Sequence, residues 1–338
     1  LVGSEMCIRD RPVGPAWVWY LAAPFWRPWR VRAALADSRP ALFYFHSAFD
    51  PWLTILPLLM RRIGLLPRSV PTIVAPRGEF SPGARSLKQA KKTAYLALAK
   101  ILGLYRNVTW QATNRDEATH IRVLWGSGAR IVVAPNLPPI RVPGATRRAT
   151  PKRAGTVRLA FLSRVSRMKN LDGALRILST MDTPVEFDIY GPREDAAYWS
   201  ECELLMQNLP PNISATYRGA LAPEDVIATL GAYDALLLPT LGENFGHVIL
   251  ESLLAGCPVL VSNRTPWRGL ESREAGIDAP LEDPEAFRQA IRKFAAMDEA
   301  AHARWVAGAR TLGTNYAANP ESVTLTRLMI ADAIAARN

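Results

Sequence analysis

Cysteine is scarce. The 338-residue chain holds three, Cys7, Cys202 and Cys257, and none stands in a Cys-x-x-Cys pair. That excludes a disulfide scaffold and a cysteine-built zinc site, and makes a reduced cytoplasmic compartment the natural setting. Four histidines are present, and His120, His247 and His302 lack metal-ligand spacing and read as structural. No Asp-x-Asp occurs, so a carboxylate-clamped divalent ion has no obvious ligands and no metal or other cofactor is expected. Neither G-x-G-x-x-G nor G-x-x-x-x-G-K-[ST] is found, which removes support for dinucleotide oxidoreductases and P-loop enzymes. Long apolar runs are missing too. Ala41–Met60 comes nearest, but His46, Asp50, Pro51 and Pro57 interrupt it and Arg61-Arg62 closes it, short of the roughly 20 apolar residues a spanning helix needs. Glu5 and Asp10 rule out a secretory leader. The first ten residues, LVGSEMCIRD, read as a non-native leader, with the true N-terminal segment expected to be missing.

Acidic residues are depleted in one half only. Residues 1–154 carry 24 Lys+Arg against 7 Asp+Glu, net +17, while residues 155–338 carry 17 against 23, net −6. Such asymmetry argues for two units with different partners: nucleic acid, an anionic membrane or a phosphorylated substrate for the basic one. Between them Ala134–Gly155 is proline-rich, charged and without hydrophobic period, as a linker is.

Beyond the linker, short β-rich runs alternate with helical ones. Strands are expected at Val157–Leu162, Val185–Tyr190, Ile213–Tyr217, Asp234–Pro239 and Pro258–Ser262. Helices are expected at Leu171–Met181, Ala196–Asn208, Pro223–Ala232 and Phe245–Ala255, then Pro284–Met297, Glu299–Leu312 and Glu321–Ala336. That alternation predicts a parallel, Rossmann-like α/β sandwich. The first half is similar but incomplete, with strands at Ala41–Phe45, Val70–Ala75, Val108–Gln111 and Arg130–Val133. Ser86–Leu102 reads as an amphipathic helix. At ~100° per residue Leu87, Ala90, Ala94, Leu98 and Ile101 share one face, with Arg85, Lys88, Lys91 and Lys92 clustered opposite. The apolar face is expected to pack and the basic face to meet an acceptor or an anionic membrane.

Two segments carry chemistry. In Thr240-Leu-Gly-Glu-Asn-Phe-Gly-His a strand turns through a glycine-flanked loop into a helix, placing Glu243 at the entrance and Glu251 two turns inside. Free N–H groups and the positive dipole end suit phosphate, and carboxylates there suit sugar or ribose hydroxyls. Glu251 follows Val248-Ile249-Leu250, where a buried carboxylate is costly without a partner. In Phe161-Leu-Ser-Arg-Val-Ser-Arg-Met-Lys-Asn170 the cations Arg164 and Lys169 leave the carboxyl end of a strand, where ligands bind in open α/β sheets. Two cations beside free helix N–H groups fit a diphosphate.

Arg164…Lys169 together with Glu243-x7-Glu251 resemble the retaining glycosyltransferases of family 4, which have the GT-B fold, and Ala75-Pro-Arg-Gly-Glu-Phe-Ser-Pro-Gly83 before a basic helix resembles a subgroup of them. The resemblance implies two Rossmann-like domains facing across a cleft, the N-terminal one incomplete. It divides the chain into a leader (1–10), a partial acceptor-binding domain (11–140), a linker (141–155), a donor-binding domain (156–314) and a C-terminal helix (315–338) packing back toward the N-terminal domain. By the same resemblance Arg164 and Lys169 hold the donor diphosphate. Glu243 contacts the transferred sugar, aided by the backbone of Asn244, Phe245 and Gly246, and Glu251 binds the ribose. His46 stands near the reaction centre. The implied partners are a nucleotide-sugar donor, a saccharide or polyprenyl-linked acceptor and an anionic membrane surface at the inner face of a bacterial plasma membrane. The family's opening strand and Gly-rich loop have no counterpart here, a shortfall of roughly 80 residues against domain-size norms. Two other readings stay open: a basic nucleic-acid-binding protein using Trp26-Arg27-Pro28-Trp29-Arg30, and a GT-B nucleotide-sugar epimerase, against which the Glu-x7-Glu pair counts.

Overall fold

The computed structural model describes residues 8–13, 16–21, 28–83, 89–137 and 151–336. The chain divides into two compact units, one of Leu1–Phe80, Lys88–Val133 and Thr326–Asn338, the other of Ser81–Leu87 and Ala134–Leu325. Ile8–Val13 (β1) and Ala16–Leu21 (β2) form a separate antiparallel pair.

In the first unit Phe43–His46 (β3), Thr72–Ala75 (β4), Thr109–Ala112 (β5) and Arg130–Val133 (β6) make a four-stranded parallel sheet in that order. Its helices are Pro28–Asp37 (α1), Leu56–Arg62 (α2), Gln89–Ile101 (α3) and Arg115–Trp125 (α4). The core is aromatic: Trp110 stacks on Trp125 at 5.3 Å, and Tyr105 lies 5.0 Å from Trp110. This core selects the buried face of α3, and it is not the face the hydrophobic period predicts. Leu96 and Ala99 are buried, Tyr95 packs 5.5 Å from the Phe49 ring, and its hydroxyl meets that of Tyr105 at 2.6 Å. Leu98 and Ile101 are 54% and 82% exposed. Counting only aliphatics misses Tyr95, whose ring and hydroxyl both find partners inside. Lys92 is correspondingly not on an open basic face, for its ammonium sits 5.4 Å from the Phe49 ring. Lys91 is exposed, and Arg85 and Lys88 lie outside the described residues.

The second unit is a six-stranded parallel sheet. Val157–Leu162 (β7), Val185–Tyr190 (β8), Ile213–Gly219 (β9), Ala235–Leu238 (β10), Val259–Ser262 (β11) and Gly276–Ala279 (β12) lie in the order β12-β11-β10-β7-β8-β9. β10 and β11 are buried at every position, as central strands covered on both faces must be. β12 has no counterpart in the expected strands, because Gly-Ile-Asp-Ala carries too little hydrophobic pattern to announce itself. The helices are Leu171–Leu178 (α5), Ala196–Gln207 (α6), Val226–Leu230 (α7), His247–Ala255 (α8), Pro284–Ala296 (α9) and Glu299–Ala318 (α10); the last helix, Glu321–Ala335 (α11), begins in this unit and from Thr326 onward counts with the first. Asp195, Asp283 and Asp298 cap α6, α9 and α10 through their carboxylates. The end of the expected linker is fixed in place. Lys152 is buried, 3.8 Å from the buried Asp234, and donates to the carbonyls of Arg153 and Thr156.

Candidate functional site

Strands run outward from β7 through β8 to β9, and the chain then returns to the other side of β7 to place β10. The carboxyl ends of β7 and β10 therefore flank a topological switch point, the crevice where open α/β sheets bind ligands. Both chemistry-bearing segments emerge there. After β7, Val165 is buried and bridges the backbone at Arg193, which leaves Arg164 exposed. Arg164 pairs with Glu194 at 3.2 Å. The loop after β8 crosses at backbone contact: a Cβ on Gly191, whose φ is +128°, would stand 1.9 Å from the Ser163 carbonyl oxygen.

The two segments, some seventy residues apart, are tied together. Leu241 N–H and Thr240 Oγ1 both donate to the Met168 carbonyl at 2.9 Å, and Asn170 Nδ2 donates to the Pro239 carbonyl at 2.8 Å. Lys169 forms an ion pair with Glu243, their side chains 16% and 10% exposed. From β11, Ser262 Oγ donates to the Thr240 carbonyl at 2.6 Å and the Arg264 carbonyl accepts from Glu243 N–H at 2.9 Å. Asn170, Thr240, Ser262 and Arg264 hold the loop, yet no spacing rule singles them out. The one signal that points to the last two is their place at the carboxyl end of a strand adjacent to β10.

Helix α8 starts at Gly246, φ +80°, a conformation glycine adopts without strain. Phe245 differs from expectation in its side chain: the ring is buried 5.5 Å from Tyr316 and 6.0 Å from Trp267, and its carbonyl accepts from Trp267 Nε1 at 2.7 Å. It anchors the loop. The backbone N–H groups of Phe245 and Gly246 have no partner among the described residues. Asn244 is half-buried beside them. Glu251 is half-buried, and burial pushes its carboxyl above the usual range. No hydrogen-bond or ion-pair partner reaches it among the described residues.

His46 belongs to the first unit, at the carboxyl end of β3, and is exposed. Its Nδ1 faces Arg77, with Nε at 3.2 Å and a terminal guanidinium nitrogen at 2.9 Å. Partial desolvation on the side packed against its neighbours, and then the Arg77 charge, hold its pKa below the usual imidazole value although the ring's other side is open. Among the described residues no group of three His, Cys, Asp or Glu side chains is placed to hold a metal ion, and no helix is long and apolar enough to cross a membrane.

Residues 144–311 match the family described as Glycosyl transferases group 1, so the match covers the switch point and both tied segments. This protein is a glycosyltransferase. Some nine-tenths of the chain is similar in fold to GT-B glycosyltransferases of known structure. A sucrose-phosphate synthase from Thermosynechococcus elongatus matches at a TM-score of 0.71 and 18% identity, over 92% of this chain and 78% of that one. Anabaena HepE, crystallised with UDP and glucose, matches at 0.66 and 16%, over 93% and 84%. The trehalose-6-phosphate synthase OtsA matches at 0.62 and 12%, over 90% and 76%. No curated protein matches the chain in sequence. The transferase domain accounts for the half that a nucleic-acid-binding reading leaves without a role.

Proposed function

We propose that the transferase moves a sugar, with retention of anomeric configuration, from a nucleoside diphosphate sugar to a lipid-linked saccharide in bacterial surface polysaccharide synthesis. The observation that carries this reading is the switch-point junction, where the Lys169–Glu243 pair ties the loop after β7, which also carries Arg164, to the loop after β10. The Phe245 and Gly246 N–H groups of that second loop have no partner among the described residues, and it leads into the helix bearing Glu251. Lys169 and Glu243 satisfy each other in the free protein. An arriving diphosphate competes for Lys169, which frees the Glu243 oxygens to accept from sugar hydroxyls. As the glycosidic bond breaks the leaving diphosphate gains charge, and fixed cations and N–H dipoles offset it without reorganisation. Retention follows the family 4 resemblance, with attack from the face the diphosphate leaves and an oxocarbenium-like transition state. A UDP-type donor is consistent with the HepE complexes, which contain UDP-glucose or UDP. Titration calorimetry with UDP and GDP tests the junction: Arg164→Ala and Lys169→Ala should each weaken binding, and unchanged affinity in both refutes the assignment.

The membrane part of the reading rests on the basic first half and on the exposed face of α3. At ~100° per residue Ile101, Ala94 and Leu98 form an exposed stripe bordered by Lys91, an element of the pattern of a helix that lies in an anionic interface. Co-sedimentation should need anionic vesicles, weaken with salt and fall in a Leu98→Ser/Ile101→Ser variant. Equal binding to neutral vesicles, or none, refutes it.

A further inference from the structure

We propose that Arg77 is a positioning residue that locks His46 as the neutral Nε2–H tautomer, so that the imidazole meets substrate as a hydrogen-bond donor and not as a general base. A guanidinium carries only donors. Both Arg77 nitrogens within reach of His46 point at the same atom, Nδ1, so Nδ1 must offer a lone pair. A neutral ring that accepts at Nδ1 bears its hydrogen on Nε2. That second nitrogen has no partner among the described residues, and the ring is exposed.

The arrangement is held from several sides. Arg77 also donates to the Tyr44 hydroxyl at 3.3 Å, and Tyr44 in turn bonds Gln111. The Tyr44 and His46 rings lie 4.6 Å apart. Arg77 and Ser47 both sit in the left-handed region, φ +55° and +81°, where a side chain persists only when its surroundings over-determine it. Two carboxylates do that here. Glu79 accepts from Ser47 Oγ at 2.6 Å and from Ala48 N–H at 2.5 Å, clamping the turn after β3 to the turn after β4. The buried Glu117 accepts from Gly78 N–H at 2.6 Å and from Thr113 N–H and Oγ1 at 2.8 Å, clamping that same turn to the start of α4. Arg77 and Tyr44 are the titratable groups in contact with His46, and among the described residues no carboxylate touches the ring. A proton on Nδ1 would therefore lose its acceptor and face a fixed cation.

That the oxygen receiving Nε2–H belongs to donor sugar or acceptor rests on the proposed function; the tautomer itself does not. The test is 15N-histidine NMR on the full chain, where four histidines keep the spectrum assignable. Wild-type His46 should show a pyridine-type Nδ1 and a pyrrole-type Nε2 at neutral pH. Arg77→Lys, which retains a donor, should preserve that pattern. Arg77→Met should give mixed tautomers and a ring that protonates at higher pH. An Nδ1–H or doubly protonated ring in the wild type overturns the proposal even if Arg77→Met fails to fold, and so does an unchanged His46 in a folded Arg77→Met. Calorimetry with UDP on the same wild-type sample separates the two readings, because absent nucleotide binding strikes the transferase assignment and leaves the tautomer result standing.

Discussion

Replacing Glu251 with glutamine should move two measurements in opposite directions. In the free protein its carboxylate is half-buried without a partner among the described residues, and burial raises its pKa. A group whose folded pKa is raised is favoured by folding while protonated, and costs stability once pH climbs through the folded value. At pH about 7.5, far above the ordinary Glu value of roughly 4.3, the unfolded chain ionises this group freely, whereas the folded chain bears a burial penalty. Glu251→Gln removes it at constant shape and should raise the melting temperature there. Below the ordinary Glu range both proteins carry a neutral group and the difference should vanish. Nucleotide binding reverses the sign. If two ribose hydroxyls donate to Glu251, each hydrogen bond to a charged acceptor is worth about 1.5–3 kcal/mol. The amide keeps part of that, so a loss near one such bond corresponds to roughly 10- to 150-fold weaker UDP or GDP. Hydroxyl donors favour the ionised form, so wild-type affinity should also rise with pH through the apo pKa while the variant stays flat. Thermal melts at two pH values and calorimetry with both nucleotides read all of this. A variant less stable at pH about 7.5, the value compared above, with unchanged nucleotide affinity would refute the reasoning.

Three further perturbations have definite expected outcomes. Glu194→Ala releases Arg164 from an exposed pair; such pairs are worth at most about 1 kcal/mol, so nucleotide affinity should rise less than about fivefold and only at low salt, and weakened binding would contradict the diphosphate role. Lys152→Met leaves Asp234 charged in the interior, which should cost about 3–5 kcal/mol in urea unfolding; a shift under about 1 kcal/mol, the scale of an exposed pair, would show that the pair is dispensable. Gly191→Ala places a methyl against the Ser163 carbonyl, so the β7 loop must move and nucleotide binding should fall well before global stability does; calorimetry beside a melt checks the order.

Strand–helix alternation after residue 156 was legible because central parallel strands are nearly pure Val, Leu, Ile and Ala, and five of the six strands of that sheet announce themselves. Cations after the first strand and carboxylates around α8 were legible for a related reason. Charged residues directly after an apolar strand have few structural uses, and spacing alone places Glu243 in the loop and Glu251 on the helix. Where the pattern was weak the reading failed: β12 is four residues with one aliphatic of size, and α1, α2 and α4 lie in stretches where arginine, proline and aromatic residues obscure the period.

Composition and local pattern determined the class of this molecule, a two-unit parallel α/β chain with a basic first half, because they depend on periodicity and on counts that no fold can alter. Tertiary structure alone decided which face of α3 is covered, since a helix buries whichever side its neighbours complement, and an aromatic core prefers Tyr95 and the Lys92 stem to Leu98 and Ile101. It alone joined Lys169 to Glu243 and Arg77 to His46. Those pairs are separated along the chain by whole strands and helices, and a hydrogen bond depends on distance in space, which only the assembled sheet supplies.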